Sequence, residues 1–457
     1  MEKSTLFDRF NNWARRSVTL KLISITILVL LLLIPTSMLT DLVSERQAVR
    51  DDAVNEVSSK WGNEQTIGGP VISIPYTASY KNNSGDMEEE IRYAHFLPDA
   101  LNISGTVQPE KRYRGIYVVV LYNTRLHVSG DFTSLDLEDL NIPLSDYQFQ
   151  NAVISVGISD MKGIAENISF TINDTLHALN PGLPVHDIFS SGGSFKFPVN
   201  RKSKYHFEFD LNLNGSTALG FLPFGKETNV SLTSPWGTPS FTGSFLPDKR
   251  EISDNGFTAS WKVLQLNRNY PQQGTETFIG NSDDKSNVAS DDQYAAFGVK
   301  LLLPVDEYQK TTRSVKYCIM FIIITFLTFF FTEVLNKRRI HPIQYMLVGF
   351  AICLFYVLLL AISEHLSFNL AYLIGCLSTL ALITLYAKTI FKNNPLTALF
   401  SVLLAILYGF FYSLLQLEDY ALLLGSIGLF LILATIMYLT RKVDWYGESE
   451  DASPLKT

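Results

Sequence analysis

Six stretches of this chain are uncharged and mostly apolar: Leu22–Thr40, Tyr317–Thr332, Pro342–Ser363, Leu366–Ala387, Asn393–Leu417 and Tyr420–Thr440. A helix rises 1.5 Å per residue and needs about 20 apolar residues to cross the hydrocarbon core of a bilayer. Five of the six reach that length. The second is shorter, but Lys316 can snorkel from one end while Val334 and Leu335 prolong the other. The pattern predicts an α-helical membrane protein with six transmembrane helices, over residues 22–40, 314–335, 342–363, 366–387, 395–417 and 420–440. A cleaved signal peptide competes for the first, because Arg15, Arg16 and Lys21 precede its apolar core. The following PTSMLTDLVSE has no small-x-small cleavage site, and 19 uncharged residues are long for a signal core, so an uncleaved anchor is expected.

Between the first and second helices the pattern changes. HFEFDLNLN (206–214) sets Phe207, Phe209, Leu211 and Leu213 against polar neighbours, the period of two of a strand with one buried face. GPVISIPYTASY, RGIYVVVLYNTRLHVSG and FTASWKVLQL are rich in β-branched and aromatic residues and bounded by glycine or proline. Residues 41–313 therefore read as a large, mainly β domain on the extracytoplasmic side. Its first stretch, 41–60, lacks glycine and proline and spaces Leu42, Val43, Val49, Ala53, Val54 and Val57 as a helix would, which predicts a helical stalk. The turn-forming, charged run 274–292 predicts a mobile loop. FLPDALNIS at Phe96 and FLPDKREIS at Phe245 echo each other, either as a trace of duplication or as shared turn chemistry.

Charge orients this arrangement. Thirteen lysines and arginines fall in the N-terminal segment 1–21, the loops 336–341 and 388–394, and the tail 441–457, whereas SEHLSFN and QLED on the other side have none. The positive-inside rule places both termini in the cytoplasm, with Trp13 and Trp445 at that interface. Residues 41–313 hold 23 basic and 34 acidic side chains, which argues against nucleic acid or anionic lipid as a ligand of this domain. All three cysteines, Cys318, Cys353 and Cys376, lie in the apolar runs, so no disulfide is expected outside them.

Signatures of chemistry are sparse. The chain has no GxSxG, no GxxxxGK[ST], no HExxH and no paired CxxC, so no catalytic residue, cofactor or metal site is assigned. His95, His127, His177, His186 and His206 are isolated along the sequence and read as packed or surface side chains. Among ionisable groups near the apolar runs, Glu333 is close to Lys337 and is expected at the interface; Glu418 and Asp419 sit in a turn. Glu364 and His365 end the third predicted helix. The plain reading is an interfacial helix end, and the sharper one is a gate or ion site.

SPWGTPSFTGSFLP, FGVKLLLPVDEYQKTTRSVKY, FLTFFFTEVL and HPIQYMLVGFAICLFYVLLLAISEH together resemble the CreD family of bacterial inner-membrane proteins over nearly the whole chain. The resemblance implies an inner-membrane protein of cell-envelope integrity, in some members under a two-component system that answers wall stress, with no accepted enzymatic activity. It carries the family signature onto His341, Pro342, Gln344, Tyr345, Glu364 and His365, without a role for any of them. Three readings follow: a non-enzymatic envelope protein whose external domain contacts wall, lipid or protein components, a lipid-handling or transport protein working through helices two to six, and a periplasmic cell-wall hydrolase using paired carboxylates. The first is the expectation. Membrane lipid is the one partner the sequence implies; the periplasmic partner and the oligomeric state are left unspecified.

Overall fold

The computed structural model describes residues 18–81, 86–133, 135–279, 295–303, 307–335, 340–417 and 420–441. The chain forms two compact units, a helical one from Met1–Val49 and Val305–Thr457 and a β unit from Arg50–Pro304.

One helix, α1 (Val18–Trp61), belongs to both. The predicted anchor and stalk are a single 44-residue helix, about 66 Å long at 1.5 Å per residue. Pro35 removes one backbone donor without ending it, as apolar surroundings favour keeping the remaining bonds. Gly62, at φ +148°, stops it, and its N–H bonds the Ser58 carbonyl.

The β unit contains β1 (Gln65–Lys81), β2 (Met87–Phe96), β3 (Ala100–Arg114), β4 (Tyr117–Phe132), β5 (Val153–Ile158), β6 (Ser169–Ile172), β7 (Thr175–Ala178), β8 (Asn180–Pro181) and β9 (Gly192–Lys196). It continues with β10 (Tyr205–Ser216), β11 (Ala218–Phe221), β12 (Glu227–Ser234), β13 (Pro239–Gly243), β14 (Lys249–Ser253), β15 (Gly256–Leu264), β16 (Gln273–Thr275) and β17 (Phe297–Leu301). One sheet runs β13-β17-β11-β1-β5-β9-β8, with β2 also paired to β1 and β16 to β2; the other runs β14-β15-β12-β3-β4-β10-β6-β7. Pairing is antiparallel except for β1 with β11 and β3 with β12. Alternation decides what is buried: Phe207, Phe209, Leu211 and Leu213 of β10 all turn inward. The two inner faces meet through aromatic pairs such as Phe170–Phe195 and Trp261–Phe297, with ring centroids 5.2 and 5.8 Å apart. At the root of α1, Trp61 donates to the Tyr122 carbonyl and Arg114 bonds Glu56.

The repeated FLPD has a structural cause. Each copy leaves a strand of the first sheet (β2 or β13) and opens a hairpin of the second (β3–β4 or β14–β15). Asp99 donates its N–H to the Asp131 carbonyl and accepts from Thr133 N–H at 2.6 Å. Asp248 does the same with Ser260 and Lys262, also at 2.6 Å. The same turn chemistry starts both hairpins.

Part of the expected mobile loop is ordered otherwise. Gly274 and Thr275 lie in β16 on the edge of β2, and Ile279 is fully buried. Residues 280–292 of that run lie outside the described residues. Backbone pairing to β2 overrode a turn-like composition.

In the helical unit α1 is followed by α2 (Glu307–Lys316), α3 (Cys318–Leu335), α4 (Pro342–Ser363), α5 (Phe368–Phe391), α6 (Asn394–Gln416) and α7 (Ala421–Thr440). Among the described residues five helices are long and apolar enough to cross a membrane, and a sixth span arises if α2 and α3, bent by 43° at Tyr317, count as one. Ile25, Leu32, Leu39 and Val43 make a buried stripe along α1. Leu32 rests against Gly349 of α4, where a Cβ would stand 2.2 Å from its Cδ1. Phe321, Phe355, Tyr372, Tyr408 and Phe411 interlock α3 to α6, with centroids 4.5–5.4 Å apart.

Candidate functional site

The six signature residues all belong to α4 or its flanks, and the structure gives most of them a task. His341 is the N-cap: its Nδ1 accepts from Ile343 N–H at 3.3 Å. Gln344 reaches back to accept from His341 N–H at 3.0 Å, completing a capping box. Pro342 occupies the first turn, where its missing N–H costs nothing. H-P-x-Q is thus a helix start that leaves few backbone donors unpaired at the edge of an apolar medium.

Tyr345, one residue further, faces inward and donates its hydroxyl to Glu333 Oε2 at 2.9 Å. Glu333 is only 2% exposed, enclosed by its neighbours in the helical unit. Its Oε1 accepts from Lys21 Nζ at 2.7 Å and from Ile340 N–H at 3.2 Å. Lys337 lies outside the described residues. Three donors from three segments therefore converge on one carboxylate: Lys21 of α1, Ile340 before α4, and Tyr345 of α4. Without them burial would cost the charge several kcal/mol. The rings of Phe326 and Phe329 stand 5.5 and 5.8 Å from that of Tyr345 and wall the cluster with apolar surface. No sequence signal pointed here. Lys337 is four positions from Glu333, the spacing of a local helical pair, whereas Lys21 is 312 positions away.

Glu364 and His365 occupy the opposite end of α4, about 28 Å from Tyr345 at 1.5 Å per residue. They part company there. Glu364 is half-buried, accepts from Tyr308 Oη at 3.1 Å and has Arg46 Nε 4.0 Å away. His365 is exposed, and among the described residues its side chain has no hydrogen bond or ion pair. Glu418 and Asp419 lie outside the described residues. Beside each end of α4 thus lies a carboxylate, Glu333 of α3 or Glu364, close to a cation of α1 (Lys21 or Arg46) and a tyrosine hydroxyl (Tyr345 or Tyr308). This arrangement holds α1 against the bundle at two levels, with the Leu32–Gly349 contact between them.

The β unit brings together one set of residue types familiar from hydrolases. His95, fully buried, meets Ser73 Oγ at Nδ1 (2.9 Å) and Asp187 Oδ2 at Nε2 (3.1 Å). Ser73 is itself buried, and Tyr93 and Phe278 stack on either side of the imidazole. An enclosed serine hydroxyl offers no path for attack on a substrate, so the trio ties β1, β2 and the 187 loop together. His127 and His206 pair on the surface with Asp210 and Asp131. Among the described residues no three His, Cys, Asp or Glu side chains are grouped to hold a metal ion.

Electrostatics in this unit is local. Burial would raise the Asp99 carboxyl, but the Lys226 ammonium and the hydroxyl and N–H of Thr133 outweigh it and hold Asp99 below its ordinary value. Asp160 is likewise held low against its burial, by Asn63 and Lys162. Burial pushes the Tyr147 hydroxyl up to about 12.

The family described as Inner membrane protein CreD matches residues 17–446. Inner membrane protein CreD of Escherichia coli (strain K12) is 35% identical over 428 residues, covering 92% of each chain. Among solved structures, the aminopeptidase A of Legionella pneumophila in complex with aspartic acid aligns with 46% of this chain and 21% of its own at 9% identity; its TM-score of 0.19 is too low to carry an argument. With the match running from the start of α1 past the end of α7, the chain belongs to the CreD family of inner membrane proteins.

Proposed function

We propose that this protein supports the integrity of the cell envelope under wall stress, without catalysis. Its helices anchor it in the inner membrane with both termini in the cytoplasm, and the β unit contacts envelope components in the periplasm. The observation that carries this reading is α1, one unbroken helix that supplies a membrane segment and the root of a 255-residue β unit. Paired charges grip it at Lys21 and Arg46 in one unit, and Arg114 and the Trp61 hydrogen bond grip it in the other. The placement of the β unit rests on the distribution of lysine and arginine among the short loops.

The test is photo-crosslinking in intact cells from positions spread over residues 41–313, alongside envelope permeability and survival of wall-targeting antibiotics in a deletion strain. Capture of wall-synthesis or outer-envelope proteins together with a leaky, sensitised deletion strain is expected. A deletion strain with unchanged permeability and tolerance would refute the proposal. Labelling of the 41–313 region by a membrane-impermeant reagent only after the inner membrane is broken would refute the orientation.

A further inference from the structure

The ten residues of α2, EYQKTTRSVK, carry three cations against one acid. Lys310, Arg313 and Lys316 recur every third position, so they fall within an arc of about 120° around the helix. Tyr308, Thr311, Ser314 and Val315 occupy the opposite arc and are buried, where α2 packs on α4 and α6. Lys310 lies beside Phe368 at the start of α5, its Nζ 5.8 Å from the ring centroid. Among the described residues neither Lys310 nor Lys316 forms an ion pair, and Lys316 is exposed. Glu364, the carboxylate at this end of α4, already accepts from Tyr308 and has Arg46 beside it.

Helix lengths set the level of this basic arc. With 18 residues α3 is about 27 Å long and by itself covers nearly all of a hydrocarbon core about 30 Å thick. α2 precedes it, turned by 43°, and its first turn reaches the end of α4, a helix of 22 residues or about 33 Å. α2 therefore starts in the headgroup layer, with its packed arc toward the bundle and its cations toward lipid phosphates. The charge selects among headgroups. Phosphatidylethanolamine brings its own ammonium to its phosphate, whereas phosphatidylglycerol brings no cation. Lysines that find no carboxylate among the described residues complement the second.

We propose that the basic arc of α2 is a binding site for the headgroup of an anionic phospholipid, its phosphate held by Lys310 and Lys316 with Arg313 between them. α2 belongs to the helical unit, so the site is independent of what the β unit contacts and of which leaflet α2 faces. The full-length protein is reconstituted into phosphatidylcholine vesicles containing a trace of phosphatidylglycerol or phosphatidylethanolamine, each with a diazirine at the top of one acyl chain. After photolysis, adducts are mapped by mass spectrometry. Residues 307–317 should carry more adduct from the phosphatidylglycerol probe than from the other. Each cation near an anionic headgroup contributes about fivefold, so Lys310→Gln with Lys316→Gln should cut that ratio about 25-fold. The ratio over residues 336–341, whose own cations Lys337, Arg338 and Arg339 are untouched, should stay as it was. Lys310→Arg with Lys316→Arg should keep the native ratio. Lys316→Gln alone, at an exposed position, should lower it about fivefold and serves if the double variant fails to fold. Inorganic phosphate in molar excess over the probe should leave the adducts in place. Equal labelling of 307–317 by the two probes in the native chain would overturn the proposal. So would a glutamine variant labelled like the native chain, displacement by inorganic phosphate, or cross-links from α2 to a second copy of the chain.

Discussion

Replacing Lys21 by methionine puts the buried carboxylate to the test. Glu333 would keep Tyr345 and the Ile340 N–H but lose its counter-charge, 2.7 Å away. At an effective dielectric constant near 20, the Coulomb attraction at that distance is about 6 kcal/mol before desolvation is counted. Removing one partner of a buried pair typically costs about 3–5 kcal/mol. Lys21 retains a third of its side-chain exposure, so water screens part of the interaction and about 2–3 kcal/mol is the working figure. For a folding unit of this size, 1 kcal/mol corresponds to about 2–4 °C in Tm, which predicts a fall of about 5–10 °C. The assay is thermal unfolding of the detergent-purified full chain, followed by tryptophan fluorescence and by loss of the monodisperse species. The double variant Lys21→Met with Glu333→Gln should recover most of the loss, because no bare charge then remains inside. Tyr345→Phe should cost about 1.5–3 kcal/mol on its own, as a hydrogen bond to a charged group. Should Lys21→Met melt with the native chain, or the double variant melt no higher than Lys21→Met, the ion pair is not what stabilises Glu333.

Three further expectations follow from other contacts. Gly349→Val should destabilise the helical unit by about 1–3 kcal/mol, since its Cβ would stand 2.2 Å from Leu32 Cδ1, and Leu32→Ala should restore part of that in the double variant; melting curves decide. His341→Ala removes the N-cap of α4 and should cost about 1 kcal/mol, whereas His341→Asn keeps a side-chain acceptor and should melt near the native value. The β unit should be acid-sensitive through Asp99 and Asp160, whose carboxyls are held below their ordinary values in the fold. With the folded pKa the lower one, their contribution is complete above the unfolded value near 3.9 and disappears as the pH falls through the folded value, so Asp99→Asn with Asp160→Asn should flatten denaturation below about pH 4 in fluorescence titrations.

What the sequence determined by itself was local. Uncharged runs long enough to cross a bilayer announced the membrane helices, and alternation in segments such as 206–214 announced strands, because a single residue's preference for water or hydrocarbon acts wherever the chain places it. The H-P-x-Q helix start could also have been found there, since a capping box closes within four residues. What only the tertiary structure decided was partnership across long separations. Glu333 was read only by its nearness to Lys337, yet among the described residues its counter-charge is Lys21, brought beside it by the packing of α1 along α3 and α4. Gly274 and Thr275 fell in a run read as a turn-like loop and became part of a strand because β2 offered a free edge. The bend at Tyr317 divides what reads as one apolar run with a charged lead-in. Burial of a carboxylate, the filling of an edge and the direction of a helix are each fixed by neighbours that the sequence holds tens to hundreds of positions away. Solvation preference is a property of each side chain, whereas the choice of partner belongs to the fold.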